Sequence, residues 1–270
     1  FTEFQWEWNQ YLSYDNPNHL IYHLNTIGNN LIYNDIEWTH MFFNTGGAYK
    51  LVDLMLKTKD SPFDLLSEQK DRKFGDKEYL ILLFIIKNML SLKLDDEMNG
   101  IIMQIDDNIF IEFLYYASKL IDNENYNIVS YHLLLIIEKI TLIRGIKDTK
   151  EVVDSYINLL EKTCFHKNKK IRIWATGFVH KKEIQSHNIL IQLLPKAIHK
   201  NNIDFINSIV SLANETNEIV YKELIWNTIL DSTFKYFSSL KIKDVNDIWQ
   251  NLNTSYPQEN FLQVLFSSFE

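Results

Sequence analysis

The segment LLLIIEKITLI, residues 133–143, decides the fold class, because it is apolar on nearly every side of the helix that it would form. A helix at the surface of a globular protein keeps its apolar residues on one stripe. A helix that is apolar all round must instead pack between neighbouring helices. Residues 133–143 therefore predict a helix sandwiched between others.

The rest of the chain repeats apolar residues at intervals of three and four. That interval is the period of an α-helix, whereas a half-buried strand alternates every second residue. We therefore expect these positions to face the core of helical elements. The three clearest stripes are Leu20, Leu24, Ile27 and Leu31; Leu80, Leu83, Phe84 and Leu90; and Tyr156, Leu159 and Leu160.

Helix boundaries are marked by residues that cap or break helices. Asn16-Pro17 and Ser61-Pro62 each place a capping residue before a proline, which is favoured in the first turn. Gly46-Gly47 and Gly145 stand where a helix should stop or turn. Polar residues that can start a helix precede further apolar segments at Asp76, Asp107, Asp148, Ser186, Thr216 and Asp244.

Composition agrees with a helical protein that has short connections. Glycine and proline together number only 11 (7 + 4) of 270 residues, below the usual share of roughly 12%. About a dozen helices are expected, two or three in each 40 residues, which is the size of an armadillo or HEAT unit. The predicted fold is all-α, an armadillo/HEAT-like right-handed helical solenoid; a compact helical bundle is the alternative.

Charge, cysteine content and hydropathy restrict the possible functions. The net charge of −8 argues against nucleic-acid binding and favours partners with basic segments. A single cysteine, Cys164, cannot form an internal disulfide, which fits the reducing cytoplasm. The best apolar run, residues 80–86, is too short to cross a membrane. The first residue is Phe1 rather than methionine, so the chain is expected to be a piece of a longer protein.

No set of residues predicts an enzyme or a metal centre. His19 and His23 are four residues apart, a spacing that can bind one metal, but no third ligand accompanies them. Cys164 could be a nucleophile with a distant histidine, although a buried small apolar side chain is the simpler interpretation. We therefore predict no catalytic residue, no cofactor and no metal.

Two charged clusters have a functional and a simpler interpretation. The basic residues Lys167, Lys169, Lys170 and Arg172 could meet a phospholipid or an acidic partner, but a solvated turn between helices is favoured. The acidic residues Asp95, Asp96, Glu97, Asp106 and Asp107 could attract a basic peptide. Favourable charge at the start of a helix explains Asp106 and Asp107 equally well.

Polar residues inside otherwise apolar helices mark a candidate binding groove. In a solenoid the inner helices line one concave surface, where polar groups can hydrogen-bond a bound helix while apolar neighbours bury its face. The alternative is that these residues simply face water. The candidate groove residues, for a GTPase or a peptide, are Asn88, Ser91, Leu92, Asn207, Ser211 and Asn214.

Three segments resemble one known family. Residues 16–56 contain in order Trp38, Phe42, Gly46-Gly47 and the sequence LVDL at 51–54. Residues 77–100 resemble a family helix that carries Lys87 and ends at a glycine, although Ser91 and Leu92 replace the usual asparagines. Residues 202–240 are similar to the family's last armadillo unit. The segments resemble the GTPase-binding and FH3 region of diaphanous-related formins.

The resemblance implies a regulatory, non-enzymatic function. In this family an active Rho-type GTPase and an autoinhibitory amphipathic helix with a basic tail compete for overlapping surfaces, and other domains of the formin assemble actin filaments. The resemblance implies that residues 1–240 form the armadillo-repeat GTPase-binding/FH3 domain and that residues 241–270 begin a dimerisation region, which would make the full-length protein a homodimer. A cytoplasmic, cytoskeleton-associated location follows from the same resemblance.

Two other interpretations stay open. The chain could be an armadillo or HEAT scaffold of another signalling or trafficking system, such as an ELMO-like protein, which shares the fold but not the partners. A helical enzyme is the third and least favoured interpretation, since no convergent catalytic set is present.

Overall fold

Every regular element in the described part of the chain is helical, as the all-α prediction requires. The computed structural model describes residues 2–33, 36–58, 61–67, 74–92, 94–181, 184, 187–200, 202, 204–206, 208–209, 224, 227–228 and 231. The chain divides into two compact units, residues 1–162 and 163–270.

The described residues form eleven α-helices and one short 3₁₀ turn, Glu124–Tyr126. The helices are α1 Thr2–Tyr11, α2 Pro17–Ile32, α3 Ile36–Asn44, α4 Gly47–Leu56, α5 Asp76–Met89, α6 Asp95–Met103, α7 Asp107–Ile121, α8 Asn127–Arg144, α9 Lys150–Cys164, α10 Lys169–Val179 and α11 His187–His199.

Most of the predicted helix boundaries agree with the structure. The Asn16 side chain accepts a hydrogen bond from the amide of His19 and caps α2. Gly46, at φ 87°, separates α3 from α4, and Gly145, at φ 70°, ends α8. Both glycines have positive φ angles, which residues with a side chain rarely adopt.

Three boundary predictions were wrong or displaced, and three cannot be compared. Ser61-Pro62 starts a turn rather than a helix, because the Ser61 hydroxyl accepts from the amide of Phe63 and closes a tight local turn. Asp76 and Asp107 are the first residues of α5 and α7 and not their caps, which are Gly75 and Asp106. Ser186, Thr216 and Asp244 lie outside the described residues.

Within residues 1–162 the helices pack in an order that repeats along the chain. Helix α5 packs against α2 on one side and α8 on the other, and α4 packs in the same way against α1 and α7. The short helices α3 and α6, of nine residues each, directly precede α4 and α7. The helix triplets α3–α4–α5 and α6–α7–α8 therefore have the same order of one short helix followed by two longer ones.

The apolar stripes differ in how well they predict burial. Leu20, Leu24, Ile27 and Leu31 of α2 are all buried, as are Tyr156, Leu159 and Leu160 of α9. The stripe on α5 was wrong in part, because Phe84 is 43% exposed. Helix α5 buries two sides, against α2 and α8, so its core side chains are instead Tyr79, Leu82, Leu83, Ile85, Ile86 and Met89.

The close packing of α2 on α5 depends on a glycine. Gly28 lies in the middle of α2 and is buried. A Cβ atom at this position would lie 3.1 Å from Cγ1 of Ile85 on α5. That separation is tighter than ordinary van der Waals contact, so a larger side chain would push the two helices apart.

Helix α8 confirms the interpretation of residues 133–143. It packs against α5, α6 and α7, and Leu133, Leu134, Ile136, Ile137 and Ile140 are buried. We expected no apolar run long enough to cross a membrane. By length and mean hydropathy alone, the helical segment of residues 124–144 meets the criterion for a membrane span, although 44% of its apolar stretch is buried within the protein. Core helices of soluble proteins pass the same test.

The C-terminal end of α8 is fixed by an arginine. The Arg144 guanidinium donates to the carbonyl of Ile105 at 3.1 Å and pairs with the carboxylate of Asp107. It also lies 4.8 Å from the centre of the Phe110 ring. One buried cation therefore ties α8 to the α6–α7 connection and to the first turn of α7.

Candidate protein-interaction face

One side of α5 is left open by the packing on α2 and α8. Phe84, Lys87 and Ser91 follow one another at intervals of three and four and share this side. Asn88 is next to them and exposed, and Ser91 is exposed just beyond the last helical residue. The open side of α5 thus carries an aromatic ring, a cation and two small polar groups.

Helix α8 contributes two residues that meet this side of α5. The His132 ring lies 4.5 Å from the Phe84 ring, measured between centroids. Seven residues further along α8, Lys139 donates from Nζ to the Ser91 hydroxyl at 2.5 Å. The two helices therefore present a continuous edge, built from pairs of residues that are 48 positions apart in sequence.

Ser91 has a structural role in this edge. Its hydroxyl donates to the carbonyl of Lys87 at 2.8 Å, which satisfies one of the carbonyls that a helix leaves unpaired at its end. The same oxygen accepts from Lys139. One side chain therefore both ends α5 and holds the Lys139 ammonium in place.

A cavity adjoins the edge on the side of α2 and α3. Its volume is about 670 Å³, and it lies among the end of α2, helix α3 and the α5–α6 connection. Ile32 and Ile36 at its rim are 65% and 64% exposed. The lining is mainly apolar and consists of Leu31, Ile32, Ile36, Thr39, His40, Ser91, Leu92 and Leu94.

Polar groups stand at two places in the cavity wall. The Thr39 hydroxyl is shielded from solvent and has no hydrogen-bond partner among the described residues. His40 Nδ1 lies 3.4 Å from the carboxylate of Glu97 at the start of α6. An apolar side chain entering the cavity would therefore meet few competing hydrogen-bonding groups.

We use "interaction face" for the α5–α8 edge and this cavity together. The edge consists of Phe84, Lys87, Asn88, Ser91, His132 and Lys139.

The edge is locally positive although the chain as a whole is acidic. Burial first, and then the charge of Lys87, lower the pKa of Lys139, while the carboxylate of Glu138 opposes this change. Burial and the charge of Lys87 also lower the pKa of His132. Among the described residues, no carboxylate lies within 4 Å of the ammonium of Lys87 or Lys139.

The structure brings together three of the six predicted groove residues. Asn88, Ser91 and Leu92 all lie on the interaction face, Leu92 in the cavity wall and the other two on the edge. The remaining three, Asn207, Ser211 and Asn214, lie outside the described residues.

Sequence reasoning missed Phe84, His132 and Lys139 as members of the face. Phe84 was assigned to the core because apolar spacing alone does not show which side of a doubly packed helix stays open. The intervals Phe84–Ser91 and His132–Lys139, seven residues each, are the only sequence signal that could have paired the two helices.

The other candidate sites offer fewer groups that could bind a metal or act in a reaction. The rings of His19 and His23 are 6.5 Å apart, and no group of three or more metal-binding side chains occurs within the described part of the chain. Burial, followed by the charge of His19, lowers the pKa of His23. Cys164 is 2% exposed, and burial raises the pKa of its thiol, as expected of a buried apolar side chain.

The charged clusters follow their simpler interpretations. Asp106 accepts from the amides of Asn108 and Ile109 as the cap of α7, and Asp107 pairs with Arg144 and Lys147. The basic cluster occupies the turn before α10 and that helix's first residues. Arg172 there donates to two backbone carbonyls of the turn.

Comparison with known proteins identifies no relative. The chain matches no protein-family model, and no curated protein is significantly similar to it.

Proposed function

We propose that this chain is a non-catalytic binding module, built as an armadillo-like right-handed solenoid, that receives an amphipathic helix on its interaction face. The observation that carries this proposal is the repeated helix order of residues 1–162. The long helices α2, α5 and α8 pack in a row, and α5 and α8 meet along the edge at the Phe84–His132 and Ser91–Lys139 contacts.

The chemistry of the interaction face suits a helical ligand. Its cavity of about 670 Å³ can bury apolar side chains spaced three and four apart on a bound helix. The exposed amide of Asn88 is available to hydrogen-bond polar groups beside such a stripe. A mainly apolar cavity next to polar anchoring groups is the usual composition of a specific binding surface.

We further propose that the partners are those of the diaphanous-related formins. The chain would then bind a Rho-family GTPase in its GTP form, and an autoinhibitory helix with a basic tail from the same protein. The support is the resemblance of residues 16–56 and 77–100, which fall on α2–α4 and on α5 and α6. Those helices supply the cavity wall and half of the edge.

The residues that carry the first resemblance also pack together. The Trp38 ring stacks on Phe42 with centroids 5.0 Å apart and planes 11° apart. A Cβ atom at Gly47 would lie only 2.4 Å from the Phe42 ring, so this position requires glycine. Trp38, Phe42 and Gly47 therefore form one packed cluster in this chain.

Competition between the two ligands would make the module a switch. If the GTPase and the helix cannot bind together, each lowers the apparent affinity of the other by the same factor. The net charge of −8 favours a helix that ends in basic residues. Binding of the GTPase would then release the actin-assembly activity of the other formin domains.

The decisive experiment is calorimetric titration of the chain with Rho-family GTPases, each loaded with a non-hydrolysable GTP analogue or with GDP. Binding of one GTPase in its GTP form only, and its competition with an amphipathic helical peptide that has a basic tail, are the expected results. Peptide binding without binding of any GTPase would overturn the formin assignment and favour a scaffold of another signalling or trafficking system. Binding of neither would overturn the proposal as a whole.

A matched pair of variants tests the location of the peptide. Ile32→Asp places a carboxylate at the cavity rim, and Met103→Asp places one at an equally exposed position at the end of α6, 65% and 64% exposed respectively. We expect Ile32→Asp to weaken peptide binding at least about tenfold, a cost of about 1.4 kcal/mol, and Met103→Asp to leave it unchanged. Equal effects of the two substitutions would exclude the cavity as the binding site.

A further inference from the structure

Two lysines on the interaction face lack a neutralising partner within the described part of the chain. Lys87 Nζ lies 5.4 Å from the centre of the Phe84 ring, and Lys139 Nζ is held by the Ser91 hydroxyl. The nearest acidic group that acts on Lys139 is Glu138, which precedes it on α8 and forms no ion pair with it. Acidic residues outnumber basic ones by 35 to 27 in this chain, so a site with two unneutralised lysines is opposite in sign to the net charge of the chain.

Ser91 links the two lysines, because its hydroxyl donates to the Lys87 carbonyl and accepts from the Lys139 ammonium. Lys87 lowers the pKa of Lys139 through its charge, and it acts on His132 in the same way. Both lysines are half-buried, so water screens them less than it screens fully exposed side chains. An anion placed between them would gain attraction from both and would relieve the repulsion between them.

The surroundings of the two lysines select the kind of anion. The Phe84 ring lies beside Lys87, and the apolar cavity begins at Ser91, which also lines it. An anion attached to an apolar body can therefore fill the cavity and reach the lysines at the same time. A carboxylate on the border of the apolar stripe of an amphipathic helix has this arrangement.

We propose that Lys87 and Lys139 form a docking position for an aspartate or glutamate side chain of an amphipathic helix whose apolar stripe enters the adjoining cavity. This inference rests on the proposed function, because it assumes that the interaction face binds a helix. It adds a requirement on the ligand that the acidic net charge of the chain alone would not suggest. The ligand needs a carboxylate beside its apolar stripe, in addition to any basic tail.

Synthetic peptides test this requirement directly. The parent is an 18-residue helical peptide with a leucine stripe, glutamine at the four positions that border the stripe, and a basic C-terminal tail. Four derivatives each replace one bordering glutamine with glutamate. Fluorescence polarisation with the full chain is expected to show that at least one derivative binds about fivefold more tightly than the parent, the effect of about 1 kcal/mol from charge pairing at a partly exposed site.

Variants of the protein locate the effect. The double variant Lys87→Gln/Lys139→Gln is expected to bind parent and derivative equally, and glutamine at position 139 keeps a donor for Ser91. Lys119→Gln is the matched control, because Lys119 is an exposed lysine in the last turn of α7, a helix that contributes no residue to the interaction face. It is expected to retain the preference for glutamate. Circular dichroism and urea unfolding show that the variants remain folded.

The outcomes separate this inference from the proposed function. If all peptides bind with equal affinity, helix binding stands and the carboxylate position is overturned. A preference for glutamate that persists in the double variant overturns the assignment to Lys87 and Lys139. Failure of every peptide to bind overturns helix binding and, with it, this inference.

Discussion

Asp107 accepts from two cations, and we expect them to differ greatly in their contribution to stability. Arg144 contacts one carboxylate oxygen with a side chain that is 8% exposed, whereas Lys147 contacts the other at 2.6 Å with a side chain that is 56% exposed. The perturbation is replacement of each cation in turn by methionine, which keeps an unbranched apolar side chain and removes the charge.

The expected magnitudes follow from the contacts that each substitution removes. Arg144→Met leaves the carbonyl of Ile105 without its donor, at about 1.5 kcal/mol, and removes the guanidinium from the Phe110 ring, at about 0.5–1 kcal/mol. Its ion pair with half-exposed Asp107 adds about 0.5 kcal/mol after solvent screening. The total is about 2.5–3 kcal/mol. Lys147→Met removes only a surface ion pair and should cost less than about 0.5 kcal/mol.

Urea unfolding, with hydrogen exchange of the α8 amides as a local measurement, gives both values. An Asp107→Asn background extends the test. There Lys147→Met should have no effect, while Arg144→Met should still cost about 2–2.5 kcal/mol, because the contacts to Ile105 and Phe110 do not involve the carboxylate. Equal losses for the two cations in the wild-type background would refute the reasoning, since the buried contacts would then contribute nothing.

Two further predictions test the packing and the electrostatics of α2, α5 and α8. Gly28→Leu should lower the free energy of unfolding by about 2 kcal/mol, because even a Cβ atom would crowd Ile85; Gly100→Ala, at an exposed helical position with open space, should instead raise it by about 0.5–1 kcal/mol in the same urea titration. The NMR titration midpoint of His132 should lie below 6.5 and move upward in Lys87→Gln, because burial and the lysine charge both lower its pKa. The folded state then binds fewer protons than the unfolded state, so stability should fall as the pH drops below 6.5 towards that midpoint. A midpoint unchanged by Lys87→Gln would contradict this account.

Helical structure was predictable from local sequence because its causes are local. The cap at Asn16, the glycines that end helices and the 3.6-residue period of α2 act within a few residues of one another. Ser61-Pro62 shows where local reasoning fails. The same two residues can begin a helix or a turn, and the backbone hydrogen bonds that follow decide between them.

The orientation of α5 was not predictable from its own residues. Its side chains are apolar on more than one side, so a periodic pattern permits several choices of core stripe. Only its neighbours α2, α4 and α8 determine that Phe84 stays partly exposed while Leu82 and Met89 are buried.

The candidate site was predictable in part for the same reason. Asn88 and Ser91 could be noticed because polar residues inside an apolar helix need an explanation. The hydrogen bond from Lys139 to Ser91 and the contact of His132 with Phe84 join residues 48 apart, and no pattern within either helix indicates such a pairing.

The burial of Cys164 has a practical consequence for work in solution. A thiol is alkylated as the thiolate, and this one is both shielded from reagents and held in its protonated form. Its rate of reaction with iodoacetamide therefore measures how often the packing around the end of α9 opens, without any engineered label. Because the chain has no other cysteine, one introduced at exposed Asn88 would react far faster. Ligand binding at the interaction face and opening at the end of α9 could then be followed separately in a single labelling experiment.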